Sequence, residues 1–292
     1  MNDKKLKLLI YIVAYNHEKF IKDVLDRIPV KIIEKYQTEV LVSDDSSEDN
    51  TLNIVNEYKK KNKIEKFQIT VISNPRNQGY GGNQKIGYYY AIKHNLDFVA
   101  LLHGDGQYAP EYLEKLIEPL KQDKTDVVFG SRMMTKGGAL KGGMPLYKFI
   151  GNKILTFFQN LLLKTNFSEF HSGYRIYKVS SLKKIPFQLN SNDYCFDTEI
   201  IIQFVKFNLK IVELPIPTFY GDEISYVVGT KYAFQIMLST VKANLQRFSL
   251  FYDQKFDNKI ESSATDLLKA NQFLEILLEK ARIHAKEKHN SN

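Results

Sequence analysis

A regular alternation of short apolar runs with helical patterns limits the fold of this chain more than any other feature. Residues 8–14 are almost wholly apolar and rich in Ile and Val, which is typical of a strand covered on both faces. Further strands are predicted at 39–43, 67–72, 98–102 and 126–129, and helices at 18–27, 51–61, 83–94 and 111–120. This order predicts an α/β fold with a mixed, mainly parallel sheet flanked by helices. Ligands of such sheets bind beyond the carboxyl ends of the strands.

After residue 132 the alternation stops, and three segments of different character follow. Residues 136–143 are mostly Gly, Lys and Ala, which predicts a mobile loop of the kind that closes over ligands. Residues 146–163 predict an amphipathic helix that packs on the sheet or lies on a membrane surface, and packing is favoured. Residues 263–292 predict an appended helix that docks or pairs. We therefore expect an α/β domain over residues 1–232 and a C-terminal helical extension with a basic tail over residues 233–292.

The composition narrows the compartment and the partners. Of the 292 residues, 43% are hydrophobic and 25% are charged, which is enough to bury a full core. The single cysteine, Cys195, excludes an internal disulfide framework and favours a reducing compartment. The first apolar run is too short for a signal peptide and no stretch has about 18 uncharged apolar residues, so we expect a cytoplasmic protein, soluble or peripheral on the membrane face. The formal charge of +8 favours nucleic acid, anionic lipid or a phosphorylated donor and acceptor as partner.

A cluster of acidic residues follows the second predicted strand. Residues 43–51 contain three aspartates and one glutamate immediately before a predicted helix. Asp49 or Asn50 can cap that helix without any further function. Asp44 and Asp45 precede the cap, at a strand end where a carboxylate can accept hydrogen bonds from a nucleobase or from ribose hydroxyls. The cluster therefore indicates either a helix cap alone or a nucleotide-binding turn.

A glycine-rich stretch, residues 74–85, follows the third predicted strand. Asn77 and Gly79 begin it, two further glycines follow, and Lys85 lies inside the next helix. Glycine lets backbone N–H groups approach an anion closely, and a helix N-terminus and a lysine add positive potential. The stretch matches neither the P-loop nor the dinucleotide-binding pattern. It predicts a phosphate cradle or an ordinary turn.

The third cluster, His103-Gly104-Asp105-Gly106-Gln107, follows the fourth predicted strand. One carboxylate does not hold a divalent cation tightly, but Mg²⁺ or Mn²⁺ is usually bound by one or two carboxylates together with substrate phosphates. Asp105 and a donor diphosphate would together suffice to bind such a cation. The alternative is that the cluster is only a turn. Further along, His171 and Arg175 flank Ser172 and Gly173. They could line the acceptor side of a site or form a structural hydrogen-bond pair.

Together these clusters resemble the motifs of family 2 glycosyltransferases of the GT-A fold, in particular the branch of dolichyl- and polyprenyl-phosphate hexose (mannosyl) transferases. The resemblance covers residues 8–232. The matching elements are Ala14-Tyr15-Asn16-His17-Glu18, the run from Asp44 to Thr51, Asn77-Gln78-Gly79, Gly104-Asp105-Gly106-Gln107, Gly130-Ser131-Arg132 and Ser172-Gly173-Tyr174-Arg175. His103 occupies the position of the first aspartate in the family's D-x-D element.

The resemblance implies a role for each matching residue. Asp105 and Gln107 would bind Mg²⁺ or Mn²⁺ on the donor diphosphate, and Asp105 would be central to catalysis. Arg132 would meet a phosphate, which in the lipid-phosphate branch belongs to the acceptor, and His171 and Arg175 are assigned to the same side. The donor nucleotide would be held by residues of the three clusters and the first turn: Tyr15, Asp44, Asp45, Asn77, Gly79, Lys85 and His103.

The resemblance also implies the reaction, an inverting transfer of a hexose from a UDP- or GDP-sugar. A polyprenyl-phosphate acceptor is already ionised and attacks without a general base. A hydroxyl acceptor on a glycan or glycolipid needs a base, for which Asp197 and Glu199 are the candidates. No nucleic-acid partner is expected, and the oligomeric state stays open.

Two alternatives come from other classes of protein. A nucleotidyltransferase shares an α/β nucleotide-binding half, but it usually carries a loop rich in Gly and Lys after the first strand. Residues 14–18 contain neither. The other alternative is a non-catalytic protein that binds a sugar nucleotide or RNA.

Overall fold

The computed structural model describes residues 5–61, 67–122, 124–221, 229–258 and 264–290. Within these ranges the chain forms one seven-stranded sheet with helices on its faces. The strands are β1 Lys7–Ala14, β2 Gln37–Asp44, β3 Gln68–Ser73, β4 Phe98–His103, β5 Val127–Ser131, β6 Arg175–Lys178 and β7 Ile211–Pro215. The α-helices are α1 Ile21–Asp26, α2 Val30–Lys35, α3 Thr51–Lys61, α4 Tyr80–Lys93, α5 Leu113–Ile117, α6 Gly138–Lys141, α7 Leu146–Leu163, α8 Val179–Leu182, α9 Phe196–Lys206, α10 Gly229–Gln246 and α11 Ala264–Asn290.

The sheet has the strand order β3-β2-β1-β4-β6-β5-β7. Strand β6 runs antiparallel to its neighbours β4 and β5, and the other strand pairs are parallel. This confirms the predicted α/β class with a mixed, mainly parallel sheet. Strands β1, β2 and β4 therefore end at the same edge, and the three predicted clusters follow those ends or the end of β3.

The alternation of side chains along β1 explains why its sequence is apolar throughout. Leu9, Tyr11 and Val13 belong to the core on one face of the sheet, and Leu8, Ile10 and Ile12 belong to the core on the other. Successive side chains of a strand point to opposite faces, so a strand covered on both sides needs apolar residues at every position.

The helix predicted at 111–120 is broken into a 3₁₀ turn Pro110–Tyr112, the short helix α5 and a second 3₁₀ turn Glu118–Lys121. Pro119 lies at the start of the second turn. Proline has no backbone N–H and its ring clashes with the carbonyl four residues earlier, so it does not allow a regular α-helix to continue.

The glycine-rich segment 136–143 is a packed turn rather than the predicted mobile loop. It contains the short helix α6, and the backbone N–H of Tyr220 donates to the carbonyl of Gly142 at 3.0 Å. A Cβ at Gly142 would lie 2.2 Å from the carbonyl oxygen of Thr218. Glycine is required here because two backbone segments touch.

Helix α7 forms at the predicted residues. The favoured prediction is that its apolar side packs on the sheet, but the helix packs through its polar side. Asn152, Thr156 and Gln159 are buried, whereas most of the large apolar side chains of the helix are exposed.

Helix α10 packs on α7 and α9, so the predicted boundary between residues 232 and 233 lies inside a helix. Helix α11 docks on β3 and α4, as one of the two predicted arrangements requires. In the part of the chain that the structure describes, no helix combines the length and the apolar character that a bilayer span needs.

Candidate functional site

A cleft of about 970 Å³ lies beyond the carboxyl ends of β1, β2, β4 and β5. Residues on the far side of the cleft come from α7, α10 and the segment before α9. The structure brings most of the predicted site residues to this one cleft: Tyr15, Asp45, Asn77, Gly79, His103, Asp105, Gln107, Arg132, His171 and Asp197. The other four, Asp44, Lys85, Arg175 and Glu199, do not line it.

The turn after β1 is tied to the turn after β2. Asn16 donates its backbone N–H to Ser47 Oγ at 2.9 Å and accepts the N–H of Glu48 on its side-chain oxygen at 2.9 Å. The N–H of His17 donates to Thr51 Oγ1 at 2.7 Å. Asn16 has φ 56°, a left-handed conformation that asparagine tolerates better than most residues. These bonds fix Tyr15 and the acidic turn next to each other at the mouth of the cleft.

The two neighbouring aspartates of the acidic turn have different surroundings. Asp44 is buried and accepts hydrogen bonds from Ser73 Oγ at 3.0 Å and from the N–H of Ser47, so it ties β2 to β3. Asp45 faces the cleft and accepts the side-chain N–H of Asn74 at 2.7 Å and the backbone N–H of Gln78 at 2.8 Å. Burial raises the pKa of Asp45 to about 6. Of the two carboxylates, Asp45 is the one available to a ligand.

The glycine-rich stretch packs against protein backbone instead of presenting an open phosphate cradle. The N–H groups of Gly81 and Gly82, in the first turn of α4, both donate to the carbonyl of Asn192, at 2.8 and 3.1 Å. A Cβ at Gly79 would lie 2.5 Å from that same oxygen, and a Cβ at Gly81 would lie 2.5 Å from the carbonyl oxygen of Ser191. The glycines are therefore needed for the close approach of the segment 190–193.

Lys85 holds the same segment. Its ammonium group donates to the carbonyl of Asn190 and, at 2.8 Å, to the side-chain oxygen of Asn192. Burial lowers the pKa of Lys85 to about 8. Lys85 does not line the cleft, and its ammonium group is used to hold residues 190–192, so its contacts do not support the phosphate role expected for it.

His103, Tyr80 and Asp197 form a hydrogen-bonded chain across the floor of the cleft. The Tyr80 hydroxyl lies 3.0 Å from His103 Nε2 and donates to Asp197 Oδ2 at 3.0 Å. Because the only proton of the hydroxyl goes to Asp197, His103 must carry its proton on Nε2. Burial lowers the pKa of His103 to about 4, so the ring is neutral at pH 7. A Cβ at Gly173 would lie 2.7 Å from the His103 ring, which explains the glycine there.

The second oxygen of Asp197 is also engaged. It accepts the side-chain N–H of Gln84 at 3.2 Å and lies 3.3 Å from Arg175 Nη1. Arg175 is fully buried, and its remaining donors bind the backbone carbonyls of Ser172, Phe170 and Asp197. Arg175 is thus a structural partner of Asp197. Among the described residues its hydrogen bonds go to these groups and not to His171, the partner that the structural alternative gave it.

Glu199, the other candidate base, is 1% exposed and does not line the cleft. It pairs with Lys255 at 2.7 Å and accepts the N–H and the hydroxyl of Ser191 at 2.7 and 3.0 Å. It joins α9 to the segment that precedes it, and no acceptor in the cleft would reach it directly.

Asp105 stands in the turn after β4, where Gly106 takes a φ of 77° and lets the chain reverse. Asp105 Oδ1 accepts the backbone N–H of Gln107 at 3.0 Å, and both side chains line the cleft. His17 lies beside them, and within the described residues its buried Nδ1 has no hydrogen-bond partner. No group of three or more His, Cys, Asp or Glu side chains that could hold a metal ion occurs in the described ranges. A cation bound at Asp105 would therefore take most of its ligands from a substrate.

The opposite side of the cleft contains a buried ion pair. Arg132 is bound through Nε and Nη2 to one carboxylate oxygen of Glu169, and its backbone N–H donates to the other at 2.8 Å. Asn152 of α7 also donates to Glu169, at 2.8 Å. Arg132 Nη1 donates to the Tyr220 hydroxyl at 3.1 Å, which is the part of the guanidinium group directed away from Glu169. Glu169 thus fixes the orientation of a cation that lines the cleft.

Two further groups stand near Arg132. His171 Nδ1 lies 2.9 Å from the Tyr232 hydroxyl, and its buried Nε2 has no partner among the described residues. Burial lowers the pKa of His171 to about 4. Lys148 of α7 lines the cleft with its ammonium group 5.2 Å from the centre of the Tyr220 ring.

Sequence reasoning missed several residues of this site. Tyr80 and Gln84 lie in the glycine-rich stretch, where the glycines drew attention to phosphate binding and not to side chains on α4. Glu169 is 37 residues from its partner Arg132, and no local pattern links the two. The sequence signal for it is limited to a glutamate three residues before Ser172-Gly173-Tyr174-Arg175.

Comparisons with known proteins identify the family and the fold. The family described as Glycosyl transferase family 2 matches residues 9–186. UDP-N-acetylglucosamine--dolichyl-phosphate N-acetylglucosaminyltransferase of Methanococcus voltae is 32% identical over 238 residues, which are 79% of this chain and 91% of that protein. Among solved structures, mannosyl-3-phosphoglycerate synthase from Rubrobacter xylanophilus has a TM-score of 0.63 at 16% identity, covering 84% of this chain and 76% of that chain.

A second solved structure is that of glucosyl-3-phosphoglycerate synthase from Mycobacterium tuberculosis in complex with Mn²⁺, UDP-glucose and phosphoglyceric acid. It has a TM-score of 0.56 at 13% identity and covers 81% of this chain and 80% of that chain. These two structures have the GT-A fold of glycosyltransferases, and so does this chain. The chain is an enzyme that belongs to family 2 of the glycosyltransferases.

Proposed function

We propose that this enzyme transfers a hexose unit from a nucleotide-diphosphate sugar, a UDP- or GDP-sugar, to a polyprenyl phosphate, with inversion at the anomeric carbon. One observation carries the choice of acceptor. Of the two candidate bases, Asp197 lines the cleft and Glu199 does not, and the oxygens of Asp197 accept from Tyr80 and Gln84 and pair with Arg175. A base engaged in this way is poorly placed to take a proton from a hydroxyl, whereas a phosphate oxygen needs no base.

The donor half of the proposed site lies at the ends of β1, β2 and β4. Tyr15 and Asp45 would hold the nucleobase, since Asp45 is the cleft-facing carboxylate of the acidic turn. Asp105, with Gln107 beside it, would hold Mg²⁺ or Mn²⁺ together with the donor diphosphate. The chemistry of these side chains fits such an ion, because both metals accept one protein carboxylate when phosphate oxygens and waters complete the shell. A bound ion would neutralise charge on the leaving diphosphate.

The acceptor half lies at the end of β5 and on α7. Arg132 and Lys148 line the cleft as cations, and no acidic side chain other than Glu169 contacts Arg132 in the described residues. When the Tyr232 hydroxyl donates to His171 Nδ1, the neutral ring carries its proton on Nε2, the nitrogen that has no partner in the described part of the chain. Arg132, Lys148 and His171 would then together offer donors to the acceptor phosphate.

The reaction balances without any proton transfer. An oxygen of the lipid phosphate attacks the anomeric carbon, the bond from that carbon to the donor diphosphate breaks, and the nucleoside diphosphate leaves. The product is a sugar joined to the lipid through one phosphate, and a single displacement inverts the anomeric centre. The relative from Methanococcus voltae, which is named for a dolichyl-phosphate acceptor and a UDP-sugar donor, supports this choice of substrates.

Donor binding is the first test of the proposal. Titration calorimetry with UDP- and GDP-sugars, with and without Mn²⁺, should detect one class of donor whose affinity depends on the metal. The variant Asp105→Ala should lose that dependence, while Asp126→Ala removes a carboxylate outside the cleft and serves as the control. The anomeric configuration of the product, read by NMR, should be opposite to that of the donor. Retention of configuration, or no donor binding with metal present, would refute the proposal.

A further inference from the structure

Helix α7 exposes its apolar side and buries its polar side. The exposed side chains that do not line the cleft recur at helical spacing along one stripe of the helix: Leu146, Ile150, Ile154, Phe157, Phe158 and Leu161, each between 42% and 64% exposed. The buried stripe contains Asn152, Thr156 and Gln159. A surface helix of a globular protein has the opposite arrangement, so this helix is built to meet an apolar environment on its outer side.

Specific hydrogen bonds prevent the helix from turning its apolar stripe inward. Asn152 donates to Glu169, the Thr156 hydroxyl donates to the side-chain oxygen of Asn152 at 3.2 Å, and Gln159 donates to the Thr198 hydroxyl at 3.4 Å. Rotating the helix would leave Glu169 without one of its donors inside the protein, which is unfavourable. The outward orientation of the apolar stripe is therefore fixed by the same residues that hold Arg132.

Helix α10 packs on α7 and extends the apolar surface. Phe234, Leu238 and Val241 are exposed at the spacing of one helical face, while Ser239 and Thr240 are buried. The segment that follows the helix also exposes large apolar side chains: Phe248, Leu250, Phe251 and Tyr252. We call the outer sides of α7 and α10, with residues 248–252, the α7–α10 face.

The charges of the two helices have only one sign. Neither α7 nor α10 contains Asp or Glu, and their charged residues are Lys148, Lys153, Lys231 and Lys242. Helix α11 also exposes apolar side chains, but it carries Asp266, Glu275, Glu279 and Glu287 among its lysines. An apolar helix face bordered by lysines and free of carboxylates is complementary to a bilayer with anionic headgroups.

We infer that the α7–α10 face lies on the surface of an anionic lipid bilayer, with Phe157, Leu161 and Phe234 inserted among the acyl chains. The inference rests on the proposed function, which it deepens. The inner sides of the same two helices line the cleft through Lys148, Leu155 and Tyr232. A lipid acceptor would place its phosphate beside Arg132 and leave its chain in the bilayer, because the helices that meet the membrane are also the wall of the cleft.

The chain contains no tryptophan, which makes a direct test simple. The variant Phe157→Trp introduces a single indole on the α7–α10 face, and Phe273→Trp introduces one on an exposed position of α11. Vesicles of equal parts phosphatidylcholine and phosphatidylglycerol should shift the emission of the first variant to the blue, and brominated acyl chains should quench it. The emission of the second variant should not change. Equal responses at both positions, or none at position 157, would overturn the inference.

Flotation of the protein with the same vesicles measures how strongly the α7–α10 face binds the bilayer. The double variant Phe157→Ser with Leu161→Ser should bind more weakly by at least about tenfold, since it removes two inserted apolar side chains. Lys153→Gln should weaken binding to these vesicles about fivefold and leave binding to pure phosphatidylcholine unchanged. If the double variant instead converts a dimer into a monomer and leaves flotation unchanged, the face is a protein interface and the inference is wrong.

Hydrolysis of the sugar nucleotide without any acceptor separates this inference from the proposed function. The double variant at positions 157 and 161 should keep the wild-type hydrolysis rate, because neither residue lines the cleft. Failure of the vesicle experiments with hydrolysis intact would refute the membrane face alone. Vesicle binding without any donor hydrolysis or transfer would leave the face supported and count against the proposed reaction.

Discussion

Replacing Asp45 by asparagine should stabilise the free enzyme at neutral pH. Burial raises the pKa of this carboxyl from 3.8 to about 6, so the ionised group destabilises the folded state, because water solvates the charge better. A rise of this size corresponds to about 3 kcal/mol at neutral pH. Asparagine keeps the shape of the side chain and an oxygen that accepts from Asn74 and Gln78, but it cannot ionise.

The sign of the pH dependence follows from the direction of the pKa shift. Below pH 3.8 both folded and unfolded Asp45 hold the proton, and the charge has no effect on stability. As the pH rises from 3.8 to about 6, the unfolded chain ionises first and the wild type loses stability relative to the variant. Above that window the difference is constant. The variant Asp45→Asn should therefore gain its full advantage only above about pH 6.

Urea unfolding followed by circular dichroism at several pH values measures this difference. The free energy of unfolding of Asp45→Asn should exceed that of the wild type by about 3 kcal/mol near pH 7.5, and by about 1 kcal/mol near pH 4.5. Asp23→Asn, which removes an exposed carboxylate from α1, controls for the loss of one negative charge. A variant less stable than the wild type at neutral pH, or a difference independent of pH, would refute the reasoning about burial.

The same replacement should weaken donor binding. A hydrogen bond to a charged acceptor contributes about 1.5–3 kcal/mol, so loss of the Asp45 carboxylate should lower donor affinity about tenfold or more. Greater stability combined with weaker binding is the expected sign of a residue kept for function at some expense of stability. If donor affinity is unchanged, Asp45 does not contact the nucleotide.

Three further predictions concern other parts of the cleft and the fold. Asp105→Ala should abolish both turnover and metal-dependent donor binding, whereas His103→Ala should leave measurable turnover in a donor-hydrolysis assay; equal losses would make His103 a ligand. Arg132→Ala should raise the KM for the acceptor more than the KM for the donor, and a defect confined to the donor would contradict the assignment of Arg132. The same variant should lower the free energy of unfolding by about 3 kcal/mol, because it leaves the buried carboxylate of Glu169 unpaired. Gly87→Ala places a Cβ 2.1 Å from the ring of Tyr11 in β1 and should lower the free energy of unfolding by about 2 kcal/mol. Gly151→Ala meets open space on α7 and should raise the free energy of unfolding by about 0.5–1 kcal/mol. Thermal melts measure both changes, and equal melting temperatures would contradict the packing described.

Much of the fold was predictable because its signals are local. The apolar run of β1 is specified residue by residue by burial on both faces, and the polar clusters lie at strand ends that a parallel sheet must bring to one edge. The family resemblance was confirmed for the same reason, since its motifs are short segments at these ends. Gathering ten of the predicted site residues in one cleft required only that the topology be right.

The remaining features depend on contacts between distant segments. The glycines of residues 79–82 could serve a phosphate or a neighbouring backbone, and only the fold places the carbonyl of Asn192 against them. Helix α7 has an apolar stripe at the predicted spacing, but its outward orientation depends on Glu169, which binds Asn152 from outside the helix. The periodicity of the sequence predicts an apolar stripe on the helix, but it does not predict whether that stripe faces the core or the outside.

The most direct test of the central claim compares two acceptors that differ by a single group. With the donor that calorimetry identifies, Mn²⁺ and detergent-dispersed acceptor, the wild-type enzyme is offered a polyprenyl phosphate or the corresponding polyprenol, and the products are identified by mass spectrometry. The expected product is a sugar joined to the lipid through one phosphate, and the alcohol should give no product. Transfer to the alcohol at a comparable rate would mean that a hydroxyl is activated in the cleft and would contradict the assignment of a phosphate acceptor.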